Sequence, residues 1–392
     1  MLAELGFLSL FFTGVACALG VGLALMGIAW RHAGAIAAAR NALVATLPLL
    51  LVACGLLVYA QVNGHYEIVY VNNVSQDAQP LTLKVTALWG SQAGSLLFWS
   101  LTLSSFIVAA LWLNWRSEYP LMPWLMVVCG VVLGFFVMLS NVYENPFERY
   151  WSMPDGSIEA ALLQPEGAQL AYPYQSPVNG DEFFHTDTTT VFPWAPEARF
   201  DGRGLNPLLR HPGMIIHPPT LYLGFTGFTI PFAFALAALL SGRLGTGWMK
   251  ATRRWSLVAW MFLSIGLILG GRWAYDVLGW GGYWGWDPVE NSSLLPWLTG
   301  TAFFAQRHDS GTARDAEGLE HGDDRAHLFA DALWHGGHTY WAAQQCAHLR
   351  AKPASNAHGP LSGFLHAGQR GFDPLAWVAG CLRKRPRPGK PV

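Results

Sequence analysis

The sequence carries little charge. Of its 392 residues only 12% are charged and 52% are hydrophobic, and the formal net charge is -1. Ordinary soluble domains contain about 25% charged residues, so this composition excludes a typical water-soluble domain. A nearly neutral chain also has no basic face to neutralise phosphates, and a nucleic-acid partner is therefore excluded.

The sequence also lacks the motifs of thiol chemistry and nucleotide hydrolysis. Its five cysteines form no C-x-x-C or C-x-x-C-H pattern, and they are Cys17, Cys54, Cys129, Cys346 and Cys381. The chain is therefore a poor candidate for disulfide exchange and has no attachment site of its own for covalent haem. It contains no G-x-x-x-x-G-K-[ST] loop either, so nothing supports ATP hydrolysis.

Long apolar segments dominate what is present. Six of them are long enough, or nearly so, to cross a bilayer as helices, and they cover residues 5–30, 43–60, 96–113, 121–140, 221–240 and 257–271. Helices satisfy every backbone polar group inside lipid, so we predict an all-α polytopic membrane protein. A further apolar segment, from Ser293 to Phe304, is too short to span. The prediction is about six complete transmembrane helices and a truncated seventh.

The basic residues of the short loops predict the orientation in the membrane. They follow the first, third and fifth apolar segments, and they are Arg31, Arg40, Arg116, Arg243, Lys250, Arg253 and Arg254. These loops share one side, which we predict to be cytoplasmic. The first segment has no basic leader or cleavage site and is predicted to be a retained helix. The N-terminus and residues 61–88, 141–219 and 273–297 are then outside, in the periplasm of a Gram-negative cell.

Residues 273–297 form the most distinctive stretch, W-A-Y-D-V-L-G-W-G-G-Y-W-G-W-D-P-V-E-N-S-S-L-L-P-W. We call this stretch the Trp-rich loop. The stretch holds five of the 19 tryptophans and four glycines between two apolar segments. Tryptophans at a membrane edge form an interfacial belt in many proteins. The crowding of Trp280, Trp284 and Trp286 in one glycine-rich loop favours a second interpretation, a platform for a large, flat, apolar ligand.

Asp287 has two roles open to it. With Pro288 and Glu290 it matches a helix N-cap, a proline at the first helical position and an acidic third position. Asp287 also directly follows Trp286, and at that position a contact with a ligand is as compatible with the sequence as a capping role.

His217 is the candidate metal ligand. It precedes two prolines at the lip of a predicted helix, on the same side as the tryptophans. Proline restricts itself and the residue before it, so the backbone of His217 is predicted to be fixed. Neutral imidazole is a common axial ligand of haem iron, although a histidine simply hydrogen-bonded at a loop end is the alternative. Arg272 either pairs with a haem propionate or extends to the interface.

Several motifs together resemble one family. The pattern W-G-x-x-W-x-W-D-P-x-E-N-x-x-x-x-P-W lies at 280–297, and further motifs are W-G-S-Q-A-G-S at 89–95, N-P-F at 145–147, G-L-N-P-L-L at 204–209 and I-H-P-P-T-L-Y at 216–222. Over residues 1 to about 304 the chain resembles the CcmF/NrfE family, the haem lyase subunits of cytochrome c maturation.

The resemblance implies a function and a set of partners. Such a subunit accepts haem from the chaperone CcmE at the Trp-rich loop, outside the bacterial inner membrane. With CcmH-type subunits it promotes covalent attachment of haem to apocytochrome c, and it holds a haem b among its helices. His217 then ligates the incoming iron, while Trp280, Trp284, Trp286 and Asp287 contact the ring. The alternatives are a haem transport or binding subunit without bond formation, or an inactive fragment.

The chain departs from the resemblance after Phe304. Residues 305–392 are polar and hold eight of the 13 histidines, and Ala305 stands where the family pattern has a membrane histidine. Codons for Ala305 onward, read one nucleotide later, permit H-S-V-M-I-Q-E-R-R-G-M-L-K-V-W-N, which resembles the family. We predict a haem-handling domain over residues 1–304 and an out-of-frame, disordered tail over 305–392. The nucleotide sequence around codon 305 tests this prediction.

Overall fold

A computed structural model describes residues 1–175, 182–186, 201–243, 247–277, 279, 281–286 and 288–312, with the backbone alone for 175, 182, 247, 250, 288, 289 and 305–312. The helices are α1 Leu2–Ala29, α2 Ala33–Val62, α3 Val69–Val74, α4 Leu81–Thr86, α5 Gln92–Asn114, α6 Met122–Val142, α7 Gly213–Ser241, α8 Gly247–Val277 and α9 Pro288–Thr312. Short 3-10 helices cover Ala87–Trp89, Tyr119–Leu121 and Pro207–Arg210. The strands are β1 Arg149–Ser152, β2 Ile158–Ala161, β3 Gln169–Leu170, β4 Tyr172–Gln175 and β5 Glu182–His185.

Six helices of the described chain are long and apolar enough to cross a membrane. They are α1, α2, α5, α6, α7 and α8, with the span of α6 counted from Tyr119 and that of α8 from Ala251. The prediction of an all-α polytopic membrane protein with six spans is confirmed. Helix α9 corresponds to the truncated seventh span, which was predicted to be apolar only as far as Phe304. Its backbone stays helical to Thr312. Because its second half is polar, it is not one of the six candidate spans.

The first helices pack through small residues. A methyl group added at Gly20 of α1 would lie 2.8 Å from the Leu43 side chain of α2, and one added at Gly130 of α6 would lie 2.7 Å from Val21. Apolar helices in lipid gain little from hydrophobic burial against one another, so close backbone approach at glycine is a main source of their packing energy. At one end, this bundle supports the described residues between its spans, which are 63–91, 143–175, 182–186, 201–212, 279 and 281–286. We call this end the loop end.

A regular glycine seam joins α7 to α8. Hypothetical methyl groups at Gly224 and Gly266 would lie 2.6 Å from the Leu263 backbone nitrogen and 2.9 Å from the Leu221 Cα, respectively. The last pair of the seam is His217 and Gly270, where a methyl group would lie 2.5 Å from the histidine Cε1. Contacts that recur every three or four residues on both antiparallel helices are typical of coiled-coil-like packing. The seam therefore fixes where the His217 side chain lies.

Helix α9 packs on α8 through two reciprocal hydrogen bonds. The Trp260 Nε1 donates to the Thr301 Oγ1 at 2.9 Å, and the Trp297 Nε1 donates to the Ser264 Oγ at 2.8 Å. The two indole rings stack with centroids 6.2 Å apart and an angle of 15° between their planes. Paired polar groups between apolar helices add specificity to such an interface. They set the position of α9, and with it the end of the Trp-rich loop.

The segments at the loop end are folded against one another. The Arg203 backbone N–H donates to the Asn72 carbonyl at 2.8 Å, and the Asp77 N–H donates to the Asp201 Oδ1 at 2.7 Å. The Tyr66 hydroxyl donates to the Asp77 carboxylate at 2.6 Å, and burial together with these carboxylates raises the pKa of Tyr66. Two small antiparallel sheets complete the region, ordered β2-β1-β3 and β4-β5.

The predicted boundary at His217 was wrong. Helix α7 begins at Gly213, so His217 lies inside the helix and not at its lip. Pro218 has no N–H to donate to the Met214 carbonyl four residues earlier. The indole Nε1 of Trp89 donates to that carbonyl at 2.8 Å. A partner from another part of the chain thus replaces the missing helical hydrogen bond, and the two prolines do not end the helix.

This replacement gives a testable prediction for stability. Trp89→Phe should lower the free energy of unfolding by about 1–3 kcal/mol, because the buried Met214 carbonyl loses its donor. In a Pro218→Ala background the helix supplies its own N–H, so the same change should have a clearly smaller effect. Unfolding in mixed detergent micelles measures both differences. Trp112→Phe, at a position 82% exposed, is the matched control, and equal losses in the two backgrounds would contradict this explanation.

Candidate functional site

His217 is held with one ring nitrogen free. Its Nδ1 lies 2.8 Å from the Gly266 backbone carbonyl of α8. A carbonyl only accepts, so the Nδ1 carries the proton and donates. The lone pair of the neutral imidazole is then on the Nε2, which has no hydrogen-bond partner among the described residues. A hydrogen bond from the opposite nitrogen is the usual means of orienting a metal-binding histidine.

Trp273 completes the immediate surroundings of His217. Its ring centroid lies 5.6 Å from that of the imidazole, at an interplanar angle of 45°. On its other side it packs against Gly213, where a methyl group would lie 2.8 Å from the Trp273 Cγ. The Trp273 Nε1 is buried and has no hydrogen-bond partner among the described residues. Buried donors are normally paired, so this N–H is available to an acceptor on a ligand.

Trp273 was not among the predicted site residues. It was grouped with the tryptophans of a loop, whereas α8 continues to Val277 and carries Trp273 as a helical residue. The available signal was the spacing of three residues between Gly270 and Trp273, which places both on the face of α8 that meets α7. Only the observed register of α7 against α8 shows that this face meets His217.

The Trp-rich loop folds back over the end of α8. Gly279 and Gly281 adopt left-handed backbone angles, with φ of 66° and 72°. Such angles favour glycine. Trp286 is also left-handed, with φ of 54°, an unfavourable conformation for a bulky residue. Such strain persists only where the surroundings impose it, and it is common at ligand sites.

The W-D-P-x-E-N part of the motif supplies those surroundings. The Gly285 N–H donates to the Glu290 Oε2 at 2.6 Å, and the Asn291 Nδ2 donates to the Trp286 carbonyl at 3.0 Å. Helix α9 begins at Pro288, as the capping pattern predicted. Asp287, whose capping or ligand role was left open, lies outside the described residues, as does Trp280.

Trp284 and Trp286 present aromatic surface. Their rings meet edge to face with centroids 6.2 Å apart. Trp286 is 70% exposed, while the Trp284 Nε1 is buried without a hydrogen-bond partner among the described residues. A second aromatic pair, Tyr275 and Tyr283, stacks at 4.6 Å and 10°. The loop thus offers exposed rings and an unsatisfied donor at the end of α8, the helix whose Gly266 carbonyl orients His217.

Other histidines of the described chain are committed elsewhere. The His211 Nδ1 accepts from the Gly213 N–H at 3.0 Å, which leaves its proton on the Nε2, opposite to the tautomer of His217. His32 caps α2 by accepting from the Ala35 N–H at 3.0 Å. His65 lies 3.1 Å from the Glu67 carboxylate, and His185 is on β5. None of these shows the free, oriented Nε2 of His217.

The chemistry of this site suits haem iron better than a bare ion. Across the described residues, no group of three or more His, Cys, Asp or Glu side chains is arranged to hold a metal. Haem iron brings four ring nitrogens of its own and needs only an axial side chain. A single oriented imidazole, flat aromatic surfaces and two buried, unpaired indole donors fit that group.

Comparisons with known proteins give the family. The profile described as "Cytochrome C assembly protein" matches residues 89–317. This chain belongs to that family. The match contains His217, Trp273 and the whole Trp-rich loop, and it extends past Phe304, where the resemblance was predicted to end.

The relatives confirm the CcmF/NrfE resemblance. The chain is 36% identical over 303 residues to "Cytochrome c-type biogenesis protein CcmF" of Pseudomonas aeruginosa, covering 77% of this chain and 39% of the relative. It is 36% identical over 310 residues to the CcmF of Escherichia coli, covering 77% and 40%. It is also 36% identical over 260 residues to the "Probable cytochrome c-type biogenesis protein NrfE" of Escherichia coli, covering 66% and 39%.

A solved structure has a similar fold. It is titled "Cytochrome c Heme Lyase CcmF", and it matches with a TM-score of 0.61 and 26% identity over 87% of this chain and 47% of that one. The chain spans about two fifths of the length of the curated relatives it matches. These findings show a membrane protein of the cytochrome c assembly family.

Proposed function

We propose that this chain receives haem at its loop end and presents it for covalent attachment to apocytochrome c. The observation that carries the proposal is the oriented imidazole of His217, whose Nδ1 is held by the Gly266 carbonyl and whose Nε2 is free. The Trp-rich loop lies at the same end of the same helix pair. An axial ligand and an aromatic platform are the two elements that orient a flat iron porphyrin.

Each residue has a distinct part in this proposal. His217 binds the iron through its Nε2, and Trp273 limits the rotation of the imidazole at 5.6 Å. Trp284 and Trp286 contact the porphyrin face, and their loop is fixed by Glu290 and Asn291. Trp280 and Asp287 are proposed contacts from the same loop. Bound haem supplies two vinyl groups, to which cysteine thiols add to form thioethers; the protein supplies orientation.

The proposal includes an orientation and partners. The loop end faces the periplasm of the bacterial inner membrane, because the basic residues of the short loops lie at the opposite end of the spans. Haem then arrives from a chaperone, CcmE, and the thiols belong to apocytochrome c presented with CcmH-type subunits. A haem b among the helices is also proposed. These assignments rest on the family resemblance and on the placement of the site.

A second candidate function is haem binding or transport without bond formation. It is favoured by the described site itself, since an oriented imidazole, an exposed ring and two buried, unpaired indole donors are sufficient for haem binding. The proposed out-of-frame origin of residues 305–392 supports the same candidate. In that case the chain holds haem through His217, and another protein forms the thioether bonds.

Haem attachment in a reconstituted system separates these functions. The purified chain in detergent is loaded with haem and mixed with reduced apocytochrome c and CcmH-type subunits, and the product is extracted with acidified acetone. A lyase yields haem that resists extraction, whereas a binding subunit yields only extractable haem with a histidine-ligated spectrum. Without such a spectrum in the loaded wild-type chain, both functions are refuted. A reaction without the chain controls for spontaneous addition.

A further inference from the structure

A charged group lies just beyond the His217 site, at the outer end of α7 and α8. Gly270 contacts His217. Arg272 follows two residues later, about 3 Å further along the helix axis and about 200° around it, so its side chain leaves α8 on a different face from Gly270. Asp276 is one turn beyond Arg272, and its Oδ2 lies 3.9 Å from the Nε2 of His211. The iron-binding nitrogen and a guanidinium thus occupy successive levels of the same helix pair.

The guanidinium of Arg272 is held from one side only. Its Nε donates to the Asp276 Oδ2 at 2.9 Å, and its Cζ lies 5.9 Å from the centroid of the Tyr275 ring. Tyr275 is in turn stacked on Tyr283 of the Trp-rich loop at 4.6 Å. No described residue accepts a hydrogen bond from the two terminal nitrogens of Arg272, whose side chain is 64% exposed. The two-nitrogen edge of the guanidinium is therefore available to a ligand.

Helix stability does not account for this arrangement. An exposed pair four residues apart contributes little, and an arginine placed before the acid is the less favourable order. Asp276 lies in the last turn of α8, which ends at Val277. A carboxylate there meets the negative end of the helix dipole. The Arg272–Asp276 pair therefore contributes little net stability to α8. Its structural effect is to fix the guanidinium of Arg272 beside the Trp-rich loop.

The chemistry of the available edge defines the ligand. A guanidinium presents two parallel N–H groups that match the two oxygens of a carboxylate. Haem is an apolar disc with two propionate carboxylates on one edge, and an iron bound near the lipid level needs that edge to face water. Arg272 lies at the water-facing level, beyond His217. Simple extension of an arginine toward water requires neither the Asp276 bond nor the Tyr275 contact.

Resting on the proposed function, we propose that Arg272 is a carboxylate-binding residue that anchors a haem propionate and is positioned by Asp276 and Tyr275. His217 then fixes the iron, and Arg272 fixes the rotation of the ring about the iron–histidine bond. This rotation determines which edge carries the vinyl groups toward the thiols. Arg272 is a specificity residue for the free acid of the porphyrin.

The test compares two porphyrins on the intact chain. Wild type and Arg272→Gln are titrated with haem and with haem dimethyl ester, whose carboxylates are blocked. Wild type should bind the free acid about 10- to 100-fold more tightly than the ester, as expected for charge-assisted hydrogen bonds. Arg272→Gln should lose this preference and keep the wild-type affinity for the ester. Arg272→Lys, which retains the charge without the fork, should keep part of the preference.

Arg210→Gln is the matched control. Arg210 is another arginine of the loop end, and its Nε donates to the Leu205 carbonyl at 2.9 Å, so its substitution should leave the preference intact. An unchanged preference in Arg272→Gln overturns the inference, and so does an equal loss of affinity for both porphyrins, which indicates a structural role. A wild-type chain without a histidine-ligated spectrum refutes the proposed function instead, so the two failures are distinguishable.

Discussion

Replacing His217 with alanine should abolish the spectrum of histidine-ligated haem and weaken haem binding by at least about 100-fold. Losing a group that only orients a metal ligand weakens binding by about 10- to 100-fold, and this change removes the ligand itself. The aromatic loop remains, so weak, spectrally different binding should persist. Absorption spectra of the ferric and ferrous forms, recorded during a haem titration, measure both effects.

His65→Ala is the control for this change. His65 is also at the loop end, but its Nδ1 is 3.1 Å from the Glu67 carboxylate, and it should be replaceable without any spectral change. Added imidazole should restore part of the spectrum of His217→Ala, because it supplies the missing nitrogen. A variant at 217 that binds haem with the wild-type spectrum would show that another side chain ligates the iron.

Substituting Gly270 with alanine should damage the same site without removing its ligand. The new methyl group would lie 2.5 Å from the His217 Cε1 and 2.9 Å from its Nδ1. The ring must move, and its hydrogen bond to the Gly266 carbonyl is lost. We expect haem affinity to fall by about 10- to 100-fold and the free energy of unfolding to fall by about 1–3 kcal/mol.

Gly55→Ala is the matched control for Gly270→Ala. Gly55 is in the membrane-spanning helix α2, and nothing lies within 4 Å of the methyl position. Its substitution should leave haem affinity unchanged and leave stability unchanged or raised, since alanine favours helix over glycine. Equal behaviour of the two variants in titration and unfolding would show that His217 is not constrained by α8.

The membrane fold was predictable because its signal is local. Each span is long enough and apolar enough to be recognised from its own residues, and all six are present. The start of α7 was not predictable from local rules. Pro218 predicts an interruption, and only the distant Trp89, which donates to the Met214 carbonyl, shows why the helix continues.

The part of the site that has a local sequence signal was also predictable. His217 and the tryptophans of the loop belong to short motifs. The hydrogen bond from His217 to Gly266 joins residues on two helices and depends on the register of the glycine seam. Trp273 contacts His217 through that register, whereas Arg272 was named from its position beside the Trp-rich loop. No pattern in the sequence alone gives the register, because contacts spaced by three or four residues on α7 fit α8 at several positions.

An experimental structure of the haem-loaded chain tests the central claim most directly. We expect the iron to be bonded to the Nε2 of His217, with the Nδ1 still donating to the Gly266 carbonyl and the porphyrin lying against the Trp-rich loop. Iron bonded to any other side chain, or haem bound away from the loop end with the His217 Nε2 unligated, would contradict it.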